Sequence, residues 1–351
     1  MGKRKINIYD VANKLGVSIS TVSRALNDNP KISPATTKKV KRMAEKLGFQ
    51  KNPLASGLMT NKTKTIGVLV PQINKEFVAQ AVRSIEDTAF DMGYSVMICQ
   101  SHESYSREQE SINTLLSSRV DGIIVSLALE TKNLEHFHNA IDSDTPVVFF
   151  DRVPSDLPNT TKIIVDNFES AYKATNHLID QGFKRIGHIG GPQSRKVFED
   201  RFEGYKKALV DNKIALDDTI IEGTDLSQED CFRAAKKILH ATNPPDAIVC
   251  ANHLASANTI FYALSINKSI PQDVAVVGFS ENPIAEIMIP SLTAVRQPCA
   301  EMGKIATQKL IEEINFDHKN DQYVHSTIVL DTKLEIRGSS VLNVRETVGK
   351  L

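Results

Sequence analysis

The chain has 351 residues, of which 41% are hydrophobic and 24% charged, as in a globular protein large enough for two or three domains. The formal net charge of zero hides an asymmetry. Residues 1–64 hold 14 Lys and Arg against 3 Asp and Glu, and residues 65–351 hold the other 28 and 39 of the 42 of each sign. A basic head on an acidic body is the pattern expected of a nucleic-acid-binding protein.

The four cysteines, Cys99, Cys231, Cys250 and Cys299, are widely separated and form no C-x-x-C pair. This spacing argues against a disulfide framework or a zinc site and fits a reducing cytosol. The basic start is followed by a polar amphipathic stretch, and no apolar run approaches the roughly 20 residues of a membrane span. We therefore expect a cytoplasmic protein that needs no metal or cofactor.

The first 50 residues predict three short helices. Asn7 can cap a helix over 8–15, Gly16 can supply a turn, and Ser18 can cap a second helix over 19–26. Ser33 and Pro34 open a third helix that stops at Gly48. The apolar residues predicted to form their shared core are Ala12, Leu15, Val17, Val22 and Leu26.

The same pattern leaves polar residues on the outer faces of these helices. The second helix exposes Ile19, Ser20, Thr21, Ser23 and Arg24, and the third exposes Lys38, Lys39, Lys41, Arg42 and Lys46. Three short helices with a tight first turn are typical of a helix-turn-helix domain. An arginine on the second helix could make a bidentate contact to guanine, or it could contact a phosphate.

The sequence blocks 8–12, 16–18, 21–27, 47–49 and 52–58 resemble the DNA-binding domain of the LacI–GalR family. The resemblance implies that the second helix lies in the major groove, where Ile19, Ser20 and Arg24 read base edges. Thr21, Ser23 and Asn27 then position the DNA backbone. Asn52, Ala55 and Leu58 fall on the family's hinge helix, with Leu58 as the minor-groove wedge. Ser56 departs from the arginine usual after the hinge alanine.

From residue 65 onward, apolar runs alternate with amphipathic helices, which predicts an α/β fold with a doubly wound parallel sheet. The predicted strands cover 66–70, 95–99, 122–126, 147–150, 185–189, 247–251 and 274–279. Examples of the predicted helices are 77–92, 107–118, 170–181, 204–212 and 254–266. No glycine-rich phosphate loop follows a strand and no G-x-S-x-G occurs, so the motifs of an α/β enzyme are missing.

This region also resembles the effector domain of the same family and its periplasmic sugar-binding relatives. Blocks that carry the resemblance include 66–71, 120–124, 146–152, 187–191, 201–205 and 292–298. It implies two α/β lobes joined by crossovers near residues 161, 290 and 323. The expected domains are 1–51 for DNA binding, 52–64 for hinge and linker, and 65–340 for effector binding and dimerisation. Lobe 1 would span about 65–161 and 291–323, and lobe 2 about 162–290 and 324–340.

The resemblance places eight ligand contacts in the cleft between the lobes: Gln72, Asn74, Phe77, Asp151, Arg201, Asn252, His253 and Ser280. Four of them have structural alternatives. Arg201 could form a surface ion pair, Asp151 could pair with Arg152, Asn252 could cap a helix, and Phe77 could belong to the core. His253 and Ser280 stand where family members often have Asp, so the effector could be a sugar, a sugar phosphate or an acidic sugar.

These observations predict a transcriptional repressor that binds a pseudo-palindromic operator in double-stranded DNA as a homodimer and senses a sugar or sugar derivative. The alternative is a regulator whose main signal is a protein corepressor or a non-sugar metabolite. A solute-binding protein would lack the basic head, and an enzyme would need a catalytic constellation. The short end of the chain, 341–351, has no sustained heptad, so we expect a dimer and not a coiled-coil tetramer.

Overall fold

The computed structural model describes residues 6–49, 62–280, 282–317 and 321–342. The chain divides into two compact units, Met1–Thr63 and Lys64–Leu351.

Residues 6–49 of the first unit form three helices at the predicted bounds: α1 (Ile8–Leu15), α2 (Ile19–Leu26) and α3 (Pro34–Leu47). Side-chain oxygens of Asn7, Ser18 and Ser33 accept the backbone N–H three residues later, as helix N-caps do. Gly16 and Gly48 end α1 and α3 with φ of +65° and +69°, a conformation that favours glycine.

The core of this unit is small and apolar. Its buried members are Val11, Ala12, Val22, Ala25, Val40 and Ala44. The predicted core residues Leu15, Val17 and Leu26 are only partly buried and pack around the edge of this cluster.

The second unit contains two six-stranded sheets, one in each lobe. Sheet 1 has the order β11-β5-β4-β3-β1-β2, and sheet 2 has the order β12-β10-β9-β8-β6-β7. The strands of sheet 1 are β1 (Thr65–Val70), β2 (Ser95–Gln100), β3 (Ile123–Val125), β4 (Val147–Phe150), β5 (Thr161–Val165) and β11 (Thr327–Leu330). The strands of sheet 2 are β6 (Ile186–Gly190), β7 (Ile221–Gly223), β8 (Ala247–Cys250), β9 (Ala275–Phe279), β10 (Thr293–Arg296) and β12 (Lys333–Glu335). All pairings are parallel except that of β10 with β12.

Helices cover both faces of each sheet, as parallel sheets require. Lobe 1 carries α4 (Glu76–Asp91), α5 (Tyr105–Ser117), α6 (Glu135–Asp142) and α12 (Cys299–Asn315). Lobe 2 carries α7 (Asn167–Asp180), α8 (Lys196–Asp211), α9 (Gln228–Leu239), α10 (His253–Ser265) and the short α11 (Ile284–Ile287). A 3₁₀ turn at Asp218–Ile220 precedes β7.

The three crossovers between the lobes lie further along the chain than predicted. Because β5 and β11 belong to sheet 1 and β10 to sheet 2, the chain crosses at 166, at 297–298 and at 331–332, and not near 161, 290 and 323. Lobe 1 therefore includes 161–165 and 327–330, and lobe 2 includes 293–296. The missed strands are short, and β5 and β11 alternate in burial, so no continuous apolar run marks them.

Helix α8 begins at Lys196, well before the predicted start at Gly204. Gly204 lies inside this helix. The position requires glycine because α7 passes too close to leave room for a side chain. A Cβ on Gly204 would lie 2.2 Å from the carbonyl oxygen of Phe168. Gly303 plays the same part in lobe 1, where a Cβ would lie 2.3 Å from the carbonyl oxygen of Ala81.

Candidate DNA-binding surface and ligand cleft

Helix α2 presents a polar face to solvent and an apolar face to the core. Ile19, Ser20 and Arg24 are exposed, whereas Val22 and Ala25 on the opposite side are fully buried. An isoleucine at the start of a helix with 39% of its surface exposed contributes little to the core. The three predicted base-reading side chains therefore share one accessible face of α2.

The predicted backbone-positioning residues surround this face. Thr21 and Ser23 are half-buried, and Asn27 is exposed at the C-cap of α2. The Ser18 hydroxyl lies 2.8 Å from the hydroxyls of both Ser20 and Thr21, so these side chains are held in place by the start of the helix. Asn52, Ala55, Leu58 and Ser56 lie outside the described residues.

Helix α3 adds positive charge to the same unit. Its predicted cationic residues are all exposed: Lys38, Lys39, Lys41, Arg42 and Lys46. The Lys41 ammonium lies 2.6 Å from a carboxylate oxygen of Asp28, just after α2. This exposed ion pair is worth little to stability, and the remaining cations suit a polyanion.

A cleft of about 420 Å³ lies between the two lobes of the second unit. Seven of the eight predicted ligand residues line it: Gln72, Asn74, Phe77, Asp151, Arg201, Asn252 and His253. The eighth, Ser280, is buried behind His253, and its Oγ lies 2.9 Å from His253 Nδ1. The cleft receives the carboxyl ends of strands from both sheets, where ligands of open α/β sheets bind.

Arg201 is buried in lobe 2 with only 4% of its surface exposed, so the surface ion pair considered from the sequence is wrong. Its guanidinium donates to Asn167 Oδ1 at 2.8 Å, to the Ala251 carbonyl at 2.6 Å and to Gln297 Oε1 at 3.2 Å. It also lies 3.7 Å from the centre of the Phe279 ring. Since Asn167 and Gln297 stand at two crossovers, Arg201 links the cleft wall to the connections between the lobes.

The two acidic residues near Arg152, Glu103 and Asp151, have different environments. Arg152 pairs with Glu103, its Nη1 lying 2.8 and 3.0 Å from the two carboxylate oxygens, and not with Asp151 as the sequence allowed. Asp151 has a positive φ of 60°, which turns the chain at the end of β4. Burial raises the pKa of Asp151, and the positive charges of Arg152 and Arg201 oppose this rise.

Asn252 and Phe77 combine their structural and cleft-lining positions. Asn252 caps α10, since its Oδ1 accepts a hydrogen bond of 2.8 Å from the Ala255 amide. Phe77 packs on the lobe 1 core, with its ring nearly parallel to that of Phe150 at a centroid distance of 6.5 Å. The capping and core roles considered from the sequence are therefore both present, and both residues also border the cleft.

The sequence did not single out Glu103, Gln297 or Arg195. Glu103 and Gln297 follow the ends of β2 and β10, and a polar residue just after a strand of a parallel sheet was the signal available for them. Arg195 occupies the N-cap position of α8, without a capping hydrogen bond from its side chain, in a turn that carries no known ligand motif. To predict that these residues lie at the cleft, one must know which strands are neighbours in the sheets.

Arg195 connects the lobes directly. From lobe 2 its guanidinium donates to the Leu129 carbonyl at 2.7 and 3.1 Å and to the Thr131 carbonyl at 2.5 Å in lobe 1. The loop that accepts these bonds is fixed from behind by the buried Glu108, which accepts from the Ala128 amide and the Thr131 hydroxyl. This arrangement, which we call the Arg195 latch, holds the lobes together beside the cleft.

Comparison with protein-family models matches both units. Residues 7–52 match the bacterial regulatory proteins of the lacI family, and residues 63–333 match the periplasmic binding proteins and sugar-binding domain of the LacI family. The chain belongs to the LacI family. It is a DNA-binding transcription regulator of the repressor type, as the helix-turn-helix and the two-lobed domain predicted.

Relatives of this LacI-family chain are similar along nearly their whole length. Catabolite control protein A of Priestia megaterium is 32% identical over 95% of this chain and 99% of its own. A solved complex of the transcriptional regulator CelR with cellobiose is 26% identical, covers 95% and 100% of the two chains, and has a TM-score of 0.70. The Lac repressor dimer bound to operator and the anti-inducer ONPF is 24% identical, covers 96% and 100%, and shares the fold with a TM-score of 0.84. None of the helices in the described ranges is long and apolar enough to cross a membrane.

Proposed function

We propose that this LacI-family protein represses transcription as a homodimer on a pseudo-palindromic operator, and that a sugar or sugar derivative in the interlobe cleft sets its affinity for DNA. The main support for this proposal is the cleft, which is lined by polar side chains from both lobes. A ligand that contacts both walls changes the free energy of lobe closure, and so it can bias a regulator between two states.

The chemistry of the cleft supports a polyhydroxylated ligand. Amide, carboxylate and guanidinium groups can exchange several hydrogen bonds with sugar hydroxyls, and Phe77 offers an apolar surface for a sugar ring. Arg152 donates to the Glu103 carboxylate and Arg201 to the Ala251 carbonyl, so both guanidinium groups beside Asp151 already have acceptors within the protein. The cellobiose complex of CelR supports the same ligand class.

The surface composition supports a dimer. Large apolar side chains with more than a third of their surface exposed lie on both lobes; they include Phe90, Met92 and Ile98 on lobe 1 and Phe261, Leu264 and Ile287 on lobe 2. A two-fold dimer presents two α2 helices to two half-sites related by the same symmetry. Because the operator lies on the chromosome, we propose that the protein acts in the cytoplasm.

The first test is operator selection from a random DNA pool with the purified protein, followed by titration of salt. We expect a pseudo-palindromic site and an affinity that falls steeply with salt, because basic residues displace counterions from DNA. A chain that enriches no sequence above background would contradict the repressor assignment. The selected site then serves for a screen of neutral, acidic and phosphorylated sugars.

In that screen we expect at least one sugar to change operator affinity by roughly 5-fold to 150-fold, the usual range of allosteric coupling. Operator affinity that stays constant with every sugar at saturating concentration would remove the sugar from the proposal. The same sugars incubated with ATP or NAD should show no turnover, because the protein acts as a regulator and not as an enzyme.

A further inference from the structure

His253 and Ser280 form a pair at the carboxyl ends of two neighbouring strands. His253 is the first residue of α10, just after β8, and Ser280 directly follows β9. Ser280 is buried, with 5% of its surface exposed, whereas His253 is half-buried and lines the cleft. The Ser280 Oγ and His253 Nδ1 lie 2.9 Å apart, so one edge of the imidazole faces the protein.

The hydrogen bonds around Ser280 favour one direction for this contact. The Asn282 amide donates to Ser280 Oγ at 3.3 Å, so the oxygen already acts as an acceptor. Within the described part of the chain, His253 Nδ1 is the acceptor that remains for the Ser280 hydroxyl proton. Donation from the hydroxyl to Nδ1 gives this proton an acceptor, and it requires an Nδ1 that carries no proton. Burial lowers the pKa of His253, against the opposing charge of Glu76, and this favours the neutral ring.

A neutral imidazole with a bare Nδ1 carries its proton on Nε2. Nε2 lies on the edge of the ring away from Nδ1, and hence on the side away from Ser280. No hydrogen-bond partner for Nε2 occurs among residues 6–49, 62–280, 282–317 and 321–342. The lobe 2 wall thus offers a fixed N–H donor at the position of His253.

We propose that His253 determines effector specificity by donating a hydrogen bond from Nε2 to an acceptor oxygen of the bound sugar, and that Ser280 positions this donor by holding the tautomer. A carboxylate here would instead accept from a sugar hydroxyl. On the lobe 1 wall, Glu76 lines the same cleft and accepts from Gln80 Nε2 at 2.8 Å, so the two walls offer opposite hydrogen-bonding characters. The inference rests on the proposed sugar effector.

The tautomer can be measured without any ligand. In protein labelled with ¹⁵N-histidine, long-range ¹H–¹⁵N spectra separate a protonated from a bare ring nitrogen, and the His253 signals are assigned by their loss in His253→Gln. We expect Nε2 protonated and Nδ1 bare, with a shift toward a tautomer mixture in Ser280→Ala. Ser256→Ala is the control, because its hydroxyl donates to the Asn252 carbonyl in the same helix turn. A proton on Nδ1 in the unaltered chain would overturn the proposal.

A matched pair of substitutions identifies the nitrogen that meets the sugar. Glutamine can place its amide N–H near the position of Nε2, whereas asparagine places it near Nδ1. Binding of cellobiose, glucose and glucose 6-phosphate is measured by calorimetry. For any sugar that binds, His253→Gln should stay within about threefold, and His253→Asn should weaken binding roughly tenfold or more.

Equal losses for the two variants would refute the donor role of Nε2. If the unaltered protein binds none of the three sugars, the proposed effector class fails for these compounds. The histidine tautomer measurement still tests, without a ligand, whether Nε2 is the ring nitrogen that carries the proton.

Discussion

Arg24 lies on the exposed face of α2, with a flexible side chain and a charge that has no place in the core behind it. Replacement of Arg24 by Ala should cost about 1–3 kcal/mol of specific binding and relax the preference at one base pair, since a bidentate contact to guanine is lost. Binding of Arg24→Ala to a set of single-base operator variants measures both effects.

The control for Arg24 is Arg42→Ala on α3, which removes an exposed cation from the same unit. A phosphate contact positions DNA without reading it, so this variant should weaken binding to all sequences alike. If Arg24→Ala also lowers affinity uniformly and leaves every base preference intact, Arg24 contacts phosphate.

The burial of His188 predicts that lobe 2 loses stability at acidic pH. Its ring is buried on β6 and stacks on Tyr205 at a centroid distance of 5.0 Å, and burial lowers its pKa from 6.5 to about 4. The unfolded chain therefore binds a proton below pH 6.5 that the folded chain takes up only near pH 4. Stability from this residue is complete above pH 6.5 and is lost as the pH falls through that window, by about 3 kcal/mol.

Urea unfolding at pH 7 and pH 4.5 tests this linkage. His188→Phe keeps an aromatic ring but cannot take up a proton, so its free energy of unfolding should fall less between the two pH values than that of the unaltered chain. His102→Phe is the control, because His102 is exposed and should leave the pH dependence unchanged. Parallel pH dependences for the unaltered chain and His188→Phe would assign the acid sensitivity to other groups.

At the scale of elements, the Arg195 latch joins the start of α8 to the loop between β3 and α6. Arg195→Ala removes charge-assisted bonds to two carbonyls, and we expect the effector-free lobes to separate by roughly 2 Å or more, as in domain rearrangements. Residues 143 and 180 are replaced by cysteine in a Cys99→Ser background and labelled with nitroxides. Pulsed electron paramagnetic resonance then measures the distance between the two labels. Both labelled positions are exposed, one on each lobe.

Lys196→Ala is the matched control for the latch. Lys196 is adjacent to Arg195 but pairs with Glu199 and Asp200 of its own helix, so its loss should leave the interlobe distance unchanged. An Arg195→Ala distance distribution equal to that of the control would show that the latch does not hold the lobes. Sugar binding to the opened variant should weaken, because the ligand must then also close the cleft.

The hinge segment, residues 52–58, is predicted to bend the operator DNA that the protein binds. Leu58, which lies outside the described residues, is expected to act as a minor-groove wedge by family resemblance. Leu58→Ala should reduce the bend in operator DNA more than it reduces non-specific affinity, because the wedge unstacks one base step. Fluorescence energy transfer across the operator measures the bend, and an unchanged bend would contradict the wedge role.

Local sequence signals predicted the bounds of the three described helices in the first unit. The caps at Asn7, Ser18 and Ser33 and the glycines at 16 and 48 fix helix ends through interactions within one turn, so no distant contact is needed to locate them. The continuous apolar strands of the second unit were equally readable. Their type follows from burial on both faces of a parallel sheet.

Features that depend on residues far apart in the sequence could not be predicted as well. The crossovers were misplaced because the strands beside them are short or alternate in burial, and their membership in a sheet depends on distant neighbours. Arg201 was predicted as a ligand contact with a surface ion pair as the alternative, and its hydrogen-bond partners 34, 50 and 96 positions away could not be predicted. The Glu103–Arg152 pair has the same character. Family resemblance supplied the positions around the cleft, and the contacts between them required coordinates.

The last strands of the two sheets have a consequence for synthesis on the ribosome. Strand β11 completes sheet 1 and β12 completes sheet 2, and only Asp331 and Thr332 separate them. Neither lobe can close its sheet until about residue 335 has left the exit tunnel, whereas α1 to α3 can fold once their 50 residues emerge. At roughly 5–20 residues per second, the nascent sensor remains unfinished for many seconds behind a finished DNA-reading head. During that interval the incomplete lobes expose unpaired strand edges, and we expect a chain that is truncated before β12 to have a DNA-binding head without a complete sensor.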